Sequence, residues 1–257
     1  MQDIQSQPRG AFRYLTFGCR QAWIEVFLTK WGQFPDGLGP RQRVALHYYL
    51  RDAGLLQRDW GDGLSTIGQL LRPALESHST AVWEVIWTNW TMSSALFSWW
   101  ATLPSGEYTR DQCLVALAAR LSTSTDRSVR DALCALVATL RQTPIGWALG
   151  QGLVASSGRS WRILKTEPGL PVSWWALYSI ATLFPTGIIV SQNNNSARGR
   201  VAQVLGVSNQ VLASALEALW QPDLFTIHQE GEGQLQVRLV PGVTPEIILR
   251  RWIQEDN

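Results

Sequence analysis

The 257-residue chain is long enough to bury a substantial core, as one large domain or two smaller ones. With 46% hydrophobic and only 16% charged residues, it is neither a disordered nor a fibrous chain. A net charge of +2, from 22 basic and 20 acidic residues, excludes a histone-like coat that holds nucleic acid by bulk charge, so any nucleic-acid footprint must be local.

The first ten residues, MQDIQSQPRG, hold no apolar signal region, which makes a cytoplasmic protein the expectation. Residues 19–31, CRQAWIEVFLTKW, predict an amphipathic helix. The loop GQFPDGLGP follows and ends in Pro40, a residue suited to a first helical turn because its missing N–H costs little there. The next helix, RQRVALHYYLRDAGLL, stops at Gly54, and QRDWGDGLSTIG then has the turn chemistry of a small hairpin. Helix, loop, helix, hairpin is the order of a winged-helix half, so residues 1–72 are predicted as an N-terminal winged-helix-like module.

Residues 73–168 are predicted as a helical middle region of three helices, a spacer bundle. The first runs through HSTAVWEVIWTNWTMSSALFSWWATL; Thr109 caps the second, and Thr125 or Asp126 caps the third. Trp83, Trp87 and Trp90, among fourteen Trp, recur at helical spacing and point to core packing, with a stacking platform for single strands as the alternative. The Gly- and Ser-rich stretch from 150 to 171 carries one alternating strand, SWRILK, before a boundary near 168.

Residues 169–257 are predicted as a C-terminal winged helix with a terminal helix. A helix spans about Ser173 to Leu183, GIIV is a short strand, and NNNSARG is a polar turn. Gly206 and Val207 turn the chain into a helix capped by Ser208, whose buried stripe is Val211, Leu212, Ala215, Leu216 and Leu219. Phe225 and Ile227 alternate against Leu235, Val237 and Leu239 as a hairpin with one covered face. The fold class is therefore mainly α with small β-hairpins: two winged helix-turn-helix modules joined by a helical bundle. The apolar run 174–191 is split by Pro185 and Gly187, which argues for a helix plus a buried strand and against a membrane span.

Catalytic chemistry finds no support in the motifs. His47, His78 and His228 have no metal-ligand spacing, and no Gly-x-Ser-x-Gly or phosphate loop is present, so a non-enzymatic protein without cofactor or metal is expected. Asp59 and Asp62 flank a tight turn that solvates them more readily than it holds a cation. Cys113 and Cys134 read as small buried hydrophobes. Cys19, beside Arg20, is the one thiol considered as a reactive sulfur carrier.

Two polar faces suit DNA. Arg43, His47 and Arg51 recur every four residues on one face of the second helix, with Arg41 and Gln42 in its first turn, where backbone N–H groups favour an anion. Residues 1–58 carry eight Lys/Arg against four Asp/Glu, which favours this face for phosphate, with a solvated charged face whose Arg51 pairs an acid as the alternative. In the C-terminal module Ser208, Asn209, Gln210 and Ser214 could reach base edges, and Arg198 and Arg200 could hold phosphate. Glu217, Glu230 and Glu232 oppose that use, and the same surface could equally dock a protein.

The segments YLTFGCRQAWIEVFLTKW, LGPRQRVALHYYLRDAGLL, VWEVIWTNW and ALFSWWATLPSGEYTRDQCLVAL, with SARGRVAQVLGVSNQVLASALEAL near the end, resemble the family known as domain of unknown function 4007. That resemblance implies a gene neighbourhood with a PAPS-reductase-like sulfurtransferase and a cysteine desulfurase, linked to DNA phosphorothioation and defence. It implies an accessory protein whose partners are double-stranded DNA and such a sulfurtransferase, and it supplies no catalytic residues.

Overall fold

The structure, a computed structural model, describes residues 13–57, 63–77, 79–121, 124–157, 160–191, 200–229 and 234–255. Helix α1 (Gln21–Thr29) buries Trp23, Ile24, Phe27 and Leu28 as one apolar stripe. Helix α2 (Pro40–Asp52) starts on its proline and is closed by Gly54, whose φ of +73° is the left-handed conformation that ends helices. The predicted hairpin after α2 reduces, among the described residues, to one bridge between Leu56 and Leu64. Asp59 and Asp62 lie outside the described residues. Helix α3 (Thr66–Ser77) follows.

The single helix predicted from residue 78 onward is divided at Ser94 into α4 (Ser79–Ser93) and α5 (Ala95–Thr102). Every residue of α4 from Ala81 to Thr91 is buried, so this helix forms the centre of the molecule. Its polar groups are satisfied by its neighbours: Trp90 Nε1 donates to Tyr49 O at 2.9 Å and Asn89 Nδ2 to Ala53 O at 2.8 Å, both on the α2 side. Trp87 Nε1 donates to Val204 O at 2.8 Å, and the Thr88 and Ser179 hydroxyls lie 3.0 Å apart, both toward the C-terminal side. Buried Trp83, Trp87 and Trp90 are thus core, and no base can stack on them.

The middle region is more than a helical bundle. Strand β1 (Gly106–Thr109) leads into α6 (Arg110–Arg120), α7 (Asp126–Gln142) and the short α8 (Pro144–Trp147). Strands β2 (Leu153–Ser157) and β3 (Ser160–Lys165) complete an antiparallel sheet in the order β1-β3-β2. The predicted caps form: the Thr109 hydroxyl accepts from Gln112 N while Gln112 Oε1 accepts from Thr109 N, and the Thr125 hydroxyl accepts from Ser128 N. Lys165 ends β3 beneath α5, where its buried Nζ donates to the carbonyls of Trp100, Ala101 and Leu103 at 3.1, 3.1 and 2.7 Å. It closes the C-terminus of α5, the negative end of that helix, while burial pushes its pKa down to about 7.

The C-terminal elements are α9 (Ser173–Leu183), β4 (Ile188–Ser191), α10 (Arg200–Leu205), α11 (Asn209–Leu219), β5 (Phe225–Gln229), β6 (Gln234–Leu239) and α12 (Pro245–Glu255). Their sheet order is β4-β6-β5, with Phe225 opposite Leu239 and Ile227 opposite Val237. Both sheets therefore share one connectivity: a strand, helices, then a hairpin whose last strand pairs with the first. Gly187 takes φ +97° just before β4, packed on the Val237 carbonyl of β6, so the apolar run 174–191 breaks there into helix and strand. Among the described residues no helix is long and apolar enough to cross a membrane. One continuous cluster of buried apolar side chains reaches from Tyr14 to Trp252.

Candidate nucleic-acid interface

On α2 the basic residues face outward but are not all at liberty. Arg41 and Arg43 are exposed, and the Arg43 guanidinium lies 5.8 Å from the Phe34 ring centroid. Gln42, predicted to face an anion, instead caps its own helix, its Oε1 accepting from Gly39 N at 3.1 Å. His47 is half-buried; burial first, then the Arg51 charge, lowers its pKa, which leaves it neutral near pH 7. Arg51 reaches back to Asp52, with Nη2 3.3 Å from Oδ1, and sits 4.8 Å from the Tyr48 ring centroid. Its side chain keeps 43% of its surface in solvent.

Asp52 is the hub that Arg51 serves. Its buried carboxylate also accepts from Arg13 Nη1 at 2.9 Å and from the Tyr14 hydroxyl at 2.5 Å. Burial pushes the carboxyl up, and the Tyr14 hydrogen bond and the charges of Arg13 and Arg51 pull it back. Of the predicted ladder, Arg43 stays exposed, His47 is half-buried, and Arg51 is shared with Asp52.

In the C-terminal unit Ser208 caps α11 as predicted, its hydroxyl accepting from Val211 N at 3.2 Å. Ser208, Gln210 and Ser214 are exposed and Asn209 is half-buried, so the first turn and a half offers a polar surface. Val211, predicted inward, is 40% exposed, and Ala213 takes its place in the core. The outward Val211 and the partly buried Ala215 join Gln210, Ser214, Leu170, Pro171, Val172 and Ser173 around a shallow groove of about 430 Å³. Arg200 is half-buried at the start of α10, with its pKa lowered by that burial, and Arg198 lies outside the described residues.

Two solved structures share this architecture. A magnesium-ion-bound crystal structure of SspB superposes with a TM-score of 0.65 at 16% identity, over 95% of this chain and 86% of that one. A second SspB crystal structure gives 0.64 at 17% identity over the same shares. The fold resembles that of SspB. Comparison with protein-family models gives no match, and comparison with curated proteins gives none, so the likeness to SspB rests on tertiary structure and not on sequence.

Against the magnesium in one SspB structure, no group of three or more His, Cys, Asp or Glu side chains converges among the described residues here. Of the three cysteines, Cys134 departs from its predicted burial. Cys19 is fully buried, its backbone N–H donating to Thr139 Oγ1 at 2.9 Å, and burial drives its thiol pKa far upward, the opposite of the accessible thiolate that a sulfur carrier needs. Cys113 is buried as predicted, whereas Cys134 is exposed on α7. A basic surface that carried no expectation from the sequence lies on the same helix: Arg127, Arg130 and Arg141 are all exposed, with the half-buried Asp131 among them. Its signal was present in the spacing of those residues and in GEYT and SWRILK, two strands flanking a pair of capped helices.

Proposed function

We propose that the protein is a non-enzymatic, DNA-binding component of a phosphorothioation-type DNA-modification or defence system, built on winged helices. One observation carries the DNA-binding part. Helix α9, strand β4, helices α10 and α11, and the β5–β6 hairpin follow one another in the sheet order of a winged helix, and α11 presents an exposed polar first turn. In such a module the N-terminal residues of the third helix meet base edges. Gln210 can bond adenine, and Ser208 and Ser214 can bond bases or phosphates. Exposed Arg41 and Arg43 on α2 add local positive charge. The phosphorothioation setting is supported by the fold likeness to SspB.

A second use of the C-terminal unit is favoured by the groove beside α11. Exposed Val211 and Leu170 make its lining more apolar than a DNA surface requires, and this groove suits a protein partner such as a PAPS-reductase-like sulfurtransferase. Binding of plain and phosphorothioated duplexes, followed by anisotropy across a salt series, tests the first reading. A steep loss of affinity with salt is the expected result. No binding to either duplex at low salt refutes DNA binding and leaves the adaptor reading, for which Val211→Glu should abolish partner co-purification.

A further inference from the structure

The middle of the chain repeats the connectivity of the C-terminal unit. Helix α5, strand β1, helices α6 and α7, and the β2–β3 hairpin correspond in order to α9, β4, α10, α11 and β5–β6, with α8 as an addition. Each sheet places its third strand between the first and second, and each third helix is capped by a hydroxyl, Thr125 for α7 and Ser208 for α11. Helix α7 is therefore the positional counterpart of α11.

The two counterparts differ in charge. Residues 106–165 hold eight Lys/Arg against four Asp/Glu, whereas residues 173–255 hold five against six. On α7 the exposed residues Arg127, Arg130, Cys134 and Arg141 fall within an arc of about 60° at 100° per residue, opposite buried Val129, Ala132, Leu136 and Leu140. From Arg127 to Arg141 the stripe is about 21 Å long at 1.5 Å per residue, which exceeds the ~12 Å width of a DNA major groove. Arginines at its two ends can thus reach the phosphates on both walls. Arg141 Nη2 bonds Ser156 Oγ on β2 at 2.7 Å, which joins the stripe to the hairpin. Arg162 on β3 is exposed and paired with Glu107 at 2.8 Å. Asp126 is exposed at the start of α7, and the half-buried Asp131 lies within the span and acts on the Cys134 thiol; Val137 is buried and Ala138 lies against Gly18, so Arg141 stands apart from Arg127 and Arg130.

We infer that the principal phosphate-binding surface for duplex DNA is the α7 face with the β2–β3 hairpin, and that the near-neutral C-terminal unit reads or docks beside it. The inference rests on the DNA-binding reading above and relocates its main electrostatic contact from α2 and α11 to the middle module. Complementarity of the exposed arginines of α7, within a module of local basic surplus, with a polyanion is what selects duplex DNA as the occupant.

Cys134 supplies a reporter in the unaltered protein, because it is the exposed thiol of the three and lies within the stripe. Alkylation of Cys134 should slow several-fold when a saturating plain duplex is added at low salt. In parallel, Arg127→Ala/Arg130→Ala should lower duplex affinity and reduce the slope of log K against log salt by about 2, roughly one per phosphate contact. Both side chains are exposed, and a circular dichroism melt matching the parent confirms that the variant folds. Duplex binding with an unchanged salt slope and unprotected Cys134 overturns the inference while leaving DNA binding intact elsewhere. Protection of Cys134 by poly-glutamate but not by duplex also overturns it, by assigning the face to an acidic protein. Failure of the parent protein to bind any duplex removes the DNA-binding reading itself, and the inference with it.

Discussion

Asp52→Ala tests whether the α2 face is fixed from inside. The carboxylate is 3% exposed and gathers Tyr14, Arg13 and Arg51. Removing one partner of a buried ion pair costs about 3–5 kcal/mol when the other charge stays unsolvated. Here Arg13 and Arg51 keep 15% and 43% of their side-chain surface in water, so their share of that cost is discounted. Tyr14 has no such relief: its fully buried phenol loses a charged acceptor, about 1.5–3 kcal/mol by itself. A total near 3 kcal/mol follows, which lowers Tm by about 6–12 °C in a chain of this size. Tyr14→Phe leaves both guanidinium groups on the carboxylate and should cost roughly 1.5 kcal/mol. The double variant should cost less than the sum, because the residues form one network. Urea denaturation with a constant m-value measures all three. An Asp52→Ala protein within about 0.5 kcal/mol of the parent, the range of ordinary surface changes, would refute the hub.

Lys165, with its pKa pushed down to about 7 from an ordinary 10.5, loses its proton in the folded chain before it does in the unfolded one. Between those values the unfolded chain binds more protons, so stability should rise with pH, by about 2–3 kcal/mol from pH 7 to 9, and Lys165→Met should flatten that profile. Denaturation at pH 7, 8 and 9 decides it; a flat parent profile means the three carbonyl acceptors hold the ammonium charged. Ser208→Ala removes the cap of α11 and should cost about 1 kcal/mol in the same assay, with Ser208→Gly costing only a few tenths. Gly187→Ala places a Cβ against the Val237 carbonyl at a φ of +97°, and the β4–β6 pairing should weaken enough to lower Tm by several degrees. Mass spectrometry after brief alkylation of the native protein should find Cys134 modified and Cys19 and Cys113 protected; rapid labelling of Cys19 would reopen a sulfur-carrier role.

Functionally, the structure shifts weight among three polar surfaces. The α2 ladder spends Gln42 on its own cap and part of Arg51 on Asp52. The α11 turn is polar but lies beside an apolar groove. Helix α7 carries exposed Arg127, Arg130 and Arg141 on one side within a locally basic module, and Arg141 ties it to β2 through Ser156.

What the sequence determined by itself is local. Thr109, Thr125 and Ser208 cap their helices because a side-chain oxygen three residues from an open N–H needs no distant partner. The limits of α9 and the alternation in β5 and β6 follow equally from neighbours a few residues away. The outward position of Cys134 was also written in the period of α7, and an apolar reading of cysteine concealed it. Tertiary structure alone decided the rest. Gly106 meets Lys165 across β1 and β3, a pairing between segments of ordinary composition that only the chain path brings together. Cys19 is held at Thr139 of α7 while Gly18 lies against Ala138, and the carboxylate that Arg51 meets is also gathered by Tyr14 and Arg13 from far along the chain. Caps and periodicity are encoded within about one helical turn, whereas strand pairing, burial and charge pairing are properties of residues far apart in sequence and near in space.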